Sequence, residues 1–231
     1  MPLLPSARFH ITAVALHQLP SDGLVEVAFV GRSNAGKSSA INVLCNRKRL
    51  AFSSRTPGRT QALNYFAIGP ADRPLGYLVD TPGYGYASAP LATKKTWDQL
   101  AGQYLQIRPQ LAGVVLLADV RRQLTDLDRR LLGWVPPGVR VAVVLTKADK
   151  LTRMQGRDAV RSVSAELGRM RPGADNTVML FSALNRSGSD ALTALVENWI
   201  TVGLAPSAPV SHGPEAADDP GAEDKKTPGG G

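Results

Sequence analysis

A chain of 231 residues, 43% of them hydrophobic, is long enough for one α/β domain with a real core, and its single cysteine, Cys45, excludes an internal disulfide and fits a reducing compartment. No apolar run approaches the roughly 20 residues of a membrane-spanning helix. Residues 1–22, interrupted by Pro2, Pro5 and Pro20, lack the layout of a signal peptide, so a cytoplasmic protein with no membrane attachment is expected. The formal net charge of +8 is unevenly spread: two lysines and five acids fall from Thr201 onward, which leaves 25 basic and 14 acidic residues in the rest. A folded part that basic suits a polyanionic partner such as nucleic acid or a ribosomal particle.

Residues 1–22 read as an extension, 23–203 as the folded domain and 204–231 as a tail. The first apolar run, 24–30, leads into Gly31, Arg32, Ser33, Asn34, Ala35, Gly36, Lys37 and Ser38, and a helical pattern over 37–46 follows. This is G-x-x-x-x-G-K-[ST] between a strand and a helix, the setting in which the motif carries meaning. Its glycines let the backbone approach phosphate closely, and successive N–H groups at a helix start form an anion cradle. Lys37 is placed to neutralise β- and γ-phosphates and Ser38 to ligate Mg²⁺. A basic loop over 47–61 comes next, with Arg47, Lys48, Arg49, Arg55 and Arg59 and no acid. A mobile loop here is where a switch threonine completes a Mg²⁺ shell, and both Thr56 and Thr60 qualify.

Apolar runs over 63–68 and 75–79 follow, the second ending in Asp80, Thr81, Pro82 and Gly83. An acid at the end of an apolar strand fits a carboxylate that holds Mg²⁺ through water, and the Gly83 N–H can sense a γ-phosphate. A helix over 91–107, a strand over 114–118 and a helix over 125–134 come next. The strand over 139–145 delivers Thr146, Lys147, Ala148 and Asp149. A carboxylate at Asp149 can accept both N1–H and N2–H₂ of guanine, a donor pair adenine lacks, with Lys147 across the base. A helix over 153–170, with Thr152 as its N-cap, leads to a strand over 178–181. Then come Phe181, Ser182 and Ala183, whose last N–H would reach guanine O6, and a closing helix over 191–202 near Ser187 and Ser189. Trp97, Trp134 and Trp199 read as packing residues. The tail is rich in Pro, Gly, Ala, Asp and Lys and cannot bury enough apolar surface to order itself. Alternating strands and helices predict a three-layer α/β sandwich, a P-loop NTPase with a six-stranded, mostly parallel sheet whose ligand sits at the carboxyl ends of the strands.

With these motifs in hand, the sequence resembles the EngB (YihA/YsxC) family of small bacterial GTP-binding proteins. The resemblance rests on GRSNAGKSSAIN at 31–42, TPGRTQ at 56–61, DTPGYGYA at 80–87, KKTW at 94–97, DVRRQL at 119–124 and TKADK at 146–150. It implies a Ras-like G domain, GTP and GDP as ligands with Mg²⁺, and Thr60 as the switch ligand. Gly58, Arg59, Gln61 and Ala62 are the expected nucleotide contacts around it. It also implies a role in late assembly of the large ribosomal subunit and a need for normal cell division and septation. A monomer is expected. Thr81 stands where the family often has Leu, Arg122 where a histidine is expected, and the acidic tail is not a family feature.

Ras-like enzymes place a water-orienting glutamine after D-x-x-G, whereas this chain has Tyr84, so slow intrinsic hydrolysis is expected. Asn34 has two readings, a hydrogen bond to the switch loop or a part in holding K⁺ beside the phosphates, a cation that would stabilise the transition state. Lys94, Lys95, Arg121, Arg122 and the switch arginines are candidates for a ribosome-facing surface. Two alternatives stand beside this reading: a P-loop enzyme using ATP, against which Asp149 argues, and a nucleotide-binding scaffold without significant hydrolysis.

Overall fold

The computed structural model of the chain describes residues 2–52, 62–85 and 98–203, without the side chains of 98 and 99. Seven strands are present among these residues, β1 (Arg8–Ala13), β2 (Val25–Gly31), β3 (Leu63–Ile68), β4 (Gly76–Asp80), β5 (Leu111–Asp119), β6 (Arg140–Thr146) and β7 (Asn176–Leu180). The helices are α1 (Lys37–Leu44), α2 (Gln103–Ile107, entered through a π-helical turn at Asp98–Gly102), α3 (Asp126–Trp134), α4 (Arg153–Met170) and α5 (Ser189–Gly203). One sheet runs in the order β1-β3-β4-β2-β5-β6-β7. Strand β3 is antiparallel to both of its neighbours, and the remaining pairs are parallel.

The sheet therefore has seven strands, not the six expected. The additional one is β1, in the segment read as an extension. It pairs with β3 at the sheet edge, and only Ala13 of its six residues is buried. An edge strand with one buried side chain shows no apolar run and no clean alternation, so nothing in its composition announces it. Arg8 fastens it by donating to the carbonyls of Gly69, Pro70 and Ala71. The segment before it is anchored across the fold, where the Leu3 and Leu4 N–H groups donate to Glu197 of α5.

Strands β2 and β5 read as continuous apolar runs because helices cover both faces of the sheet. Their side chains divide between two core clusters. One holds Ala28, Val30, Val114 and Leu116 against α2, α3 and α4; the other holds Val27, Phe29, Val115 and Leu117 against α1 and α5. Trp199 of α5 is buried in the second and lies flat on Gly113, where an added Cβ would stand 2.2 Å from the indole. Thr152 caps α4 as expected: its hydroxyl accepts the Gln155 N–H at 3.3 Å, and the Gln155 side chain accepts the Thr152 N–H at 3.0 Å.

Central β2 has β4 on one side and β5 on the other, so the chain leaves it in two directions. A crevice opens at such a point beyond the carboxyl ends of the strands. The loops after β2, β4, β6 and β7 all emerge there. No helix of the described residues is long and apolar enough to cross a membrane.

Candidate functional site

The loop Gly31–Ser38 is shaped by backbone conformations few residues tolerate. Gly36 has φ +102° and Asn34 φ +65°. A Cβ at Gly31 would lie 2.5 Å from the Leu117 carbonyl of β5, so only glycine lets the two strands approach there. The loop curls around Lys37, whose Nζ donates to the Gly31 carbonyl at 3.2 Å. Burial pushes the Lys37 ammonium below its ordinary pKa, and the nearby Asp80 carboxylate opposes that shift. A desolvated ammonium inside a ring of backbone N–H groups favours an anion.

Asp80 ends β4, in register with Phe29 of β2. Burial raises its carboxyl to about 6, against the pull of Lys37 and a hydrogen bond with Ser38. Its Oδ1 is buried with no hydrogen-bond partner among the described residues. A buried carboxylate oxygen left open beside a serine hydroxyl offers oxygen ligands to a hard divalent cation, and the lysine next to them suits the phosphate oxygens that such a cation shares. Thr81 faces away from this point: its N–H and hydroxyl both donate to the Phe29 carbonyl, at 3.1 and 3.0 Å. Gly83 packs directly on the loop, and a Cβ there would lie 3.0 Å from Lys37 Nζ and 2.9 Å from Ser33 Oγ.

The second half of the site is built by the ends of β6 and β7. The Thr146 hydroxyl donates to the Ala35 carbonyl at 2.7 Å and lies 3.2 Å from that of Ala118, which ties the β6 loop to the phosphate loop. Lys147 takes φ +59°, and its Nζ pairs with Asp119 at 2.9 Å. Asp149 accepts the Ser182 hydroxyl at 2.6 Å, and Ser182 Oγ in turn accepts the Leu184 N–H at 3.2 Å. That Ser182 hydrogen bond is the first cause holding the Asp149 carboxyl below its ordinary range. The Ala148 N–H donates to Phe181 O, so the loops after β6 and β7 are also joined through main chain.

The structure thus brings together Gly31 to Ser38, Asp80 to Gly83, Thr146 to Asp149 and Phe181 to Ala183. Asn34 is exposed on the loop, and Ala62 is buried at the start of β3. Gly58, Arg59, Thr60 and Gln61, together with Thr56, Arg55, Lys94, Lys95 and the tail, lie outside the described residues. Three site-supporting residues escaped sequence reasoning. Asn42 of α1 accepts the Leu50 and Ala51 N–H groups and donates to Ala51 O, fixing the entry to the basic loop. Asp119 binds Arg121 and Lys147. Asp128 receives the Tyr84 hydroxyl. The partners of Asp119 at Lys147 and of Asp128 at Tyr84 lie too far along the chain for any local pattern to reveal.

A family model described as "50S ribosome-binding GTPase" matches residues 26–147. The "Probable GTP-binding protein EngB" of Burkholderia pseudomallei (strain 1106a) is 54% identical over 202 residues, covering 86% of this chain and 92% of that protein. The chain belongs to the EngB family of GTP-binding proteins. EngB of Paraburkholderia phymatum is 52% identical over 215 residues, covering 90% of this chain and 98% of its own. Among solved structures, a probable GTP-binding protein engB superposes with a TM-score of 0.59 at 16% identity, over 77% of this chain and 99% of that one. Aquifex aeolicus Era bound to GDP and aluminium fluoride gives 0.57 at 21% identity, over 76% and 56%. These two likenesses concern the fold. As an EngB-type protein, this chain is a P-loop GTPase, a class that uses Mg²⁺ generally, and the crevice above β2 is where its phosphate-binding motif lies.

Proposed function

We propose that this EngB protein is a slow GTP-hydrolysing switch that acts on the large ribosomal subunit or its assembly precursor and is needed for normal cell division and septation. Lys37 and the N–H groups of 31–38 hold the phosphates. Ser38, Thr60 and, through water, Asp80 hold Mg²⁺, which when bound neutralises phosphate charge. Asp149, set by Ser182, reads guanine. The open Oδ1 of Asp80 beside Ser38 and Lys37 carries this assignment. The ribosomal role draws on the description of the matching family model and on the basic charge of the folded part.

Slow turnover is favoured by one specific contact. The residue in the water-orienting position is Tyr84, and its hydroxyl donates to the buried Asp128 at 2.5 Å. Hydrolysis then depends on a ribosomal partner or on K⁺ held with the help of Asn34. Turnover measured with and without large subunits, in KCl and in NaCl, tests this. A rise with subunits or K⁺ is expected; no turnover in any condition establishes the scaffold reading instead. Binding to particles should weaken steeply as salt rises. In competition, GTP should displace a bound guanine nucleotide and ATP should not.

A further inference from the structure

Tyr84 stands where three parts of the molecule meet. Through its backbone it belongs to the phosphate loop: its carbonyl accepts the Ser33 N–H at 2.9 Å, and Arg32 and Tyr84 form an isolated parallel bridge. Through its side chain it belongs to the layer under α3. The ring is buried in the core cluster that includes Leu124 and Leu131, and the hydroxyl donates to Asp128 Oδ1 at 2.5 Å. Asp128 is itself buried, and its other oxygen accepts the Thr125 N–H and hydroxyl, both at 2.7 Å. One carboxylate therefore caps α3 with Oδ2 and holds Tyr84 with Oδ1.

The residues beside Tyr84 leave little slack. Gly83 is packed against Lys37 and Ser33. Gly85, at φ +73°, sits under α3, and a Cβ on it would stand 3.1 Å from Leu127 Cδ1. A terminal phosphate that engages Lys37 must engage or displace Gly83. Any shift of Gly83 is passed to a residue bonded on both sides. Either the buried, charge-assisted Tyr84–Asp128 hydrogen bond is lost, or the cap of α3 moves with the turn. The costly first course favours the second.

We propose that Tyr84 is a positioning residue that couples the D-x-x-G turn to α3 through Asp128, so that the first turn of α3, with exposed Asp126 and Leu127, changes with the nucleotide state. This rests on guanine nucleotide occupying the Lys37 loop. It gives Tyr84 a role that a glutamine there does not have: transmission in place of water orientation.

The test uses the full chain with Tyr84→Phe, which keeps the ring and deletes the hydroxyl. Dissociation constants for GDP and for a non-hydrolysable GTP analogue are measured with Mg²⁺, and amide exchange over 125–134 is followed in each state. The expected result is GDP affinity within about twofold of wild type and an analogue-to-GDP affinity ratio changed by about fivefold or more. Wild type should show a nucleotide-dependent difference in α3 exchange, and Tyr84→Phe should lose it. Thr125→Ala removes a cap contact and spares the Tyr84 link, so it should lower the melting temperature without moving the ratio. Asp128→Ala gives the same reading from the α3 side should Tyr84→Phe not fold. An unchanged ratio, equal weakening of both nucleotides, or α3 exchange that still responds in Tyr84→Phe overturns the proposal. Wild type that binds neither nucleotide breaks the reading of the site itself, and that outcome is distinct from binding with an unaltered ratio.

Discussion

Two buried carboxylates lie on the neighbouring strands β2 and β4, near opposite ends of the sheet. Glu26, near the start of β2, is surrounded by donors: Tyr104 Oη at 2.8 Å, Tyr65 Oη at 3.2 Å and Arg108 through Nε at 2.9 Å and Nη2 at 2.5 Å. Asp80, at the end of β4, has one oxygen with no partner among the described residues. Burial pushes both carboxyls up. Burial alone therefore does not separate a structural acid from a functional one; satisfaction does. Glu26 is a completed joint between β2, β3 and α2, and Arg108 extends it to the Pro20 carbonyl. Asp80 keeps an open oxygen, which the proposed function assigns to a ligand.

The largest effect should come from breaking the completed joint. Glu26→Ala takes the counter-charge from Arg108 and the carboxylate acceptor from two tyrosine hydroxyls, and removing one partner of a buried ion pair costs about 3–5 kcal/mol. Urea denaturation without nucleotide should show it as a lower midpoint with an unchanged slope. A loss under about 1 kcal/mol would mean that this network is no more than the surface pair of ordinary worth.

Asp80→Asn should behave in the opposite way. It removes a buried charge whose desolvation outweighs its contacts with Lys37 and Ser38 and whose Oδ1 has no partner among the described residues, so the nucleotide-free protein should be as stable as wild type or slightly more so. The loss appears only with ligand: the extra thermal stability conferred by Mg²⁺ and GTP should shrink by about 2 kcal/mol, the size of a lost charged hydrogen-bonding partner. Equal destabilisation with and without ligand would place Asp80 in the same class as Glu26.

This contrast was only half legible in the sequence. Asp80 was, because a phosphate site needs Gly31, Lys37, Ser38 and an acid after the next parallel strand, and that spacing survives in one dimension. The helix cap at Thr152 and the alternation of strands with helices were legible for the same reason, since their physics is local. Glu26 was hidden inside an apolar run, its partners 39, 78 and 82 residues away. Strand β1 was hidden because an edge strand with four exposed residues has no apolar signature. The hydroxyl of Thr81 closes onto the Phe29 carbonyl, a contact that its place beside Asp80 in the sequence does not announce. Where a side chain's partner is set by topology, composition carries no trace of it.

Asp119 lies between the two extremes, and it gives the smallest effect and the sharpest sign. Its side chain is largely covered, and it pairs with Arg121 Nη2 at 2.7 Å and Lys147 Nζ at 2.9 Å. The Arg121 guanidinium first, and then Lys147, hold its carboxyl well below the ordinary carboxylate range, against burial. A depressed folded pKa stabilises the protein fully above the unfolded value, near about 4, and the contribution drains away as pH falls below it. Asp119→Asn should therefore cost under about 1 kcal/mol, the worth of a pair whose cationic partners, Arg121 and Lys147, are open to solvent. The gap to wild type should stay flat from neutral pH down to about pH 5 and close only in more acid solution. Since Lys147 loses its anchor, guanine nucleotide affinity should fall about threefold, with no gain for ATP. A gap that widens on acidification would reverse the sign and show that Asp119, like Asp80, is held in the fold against its charge.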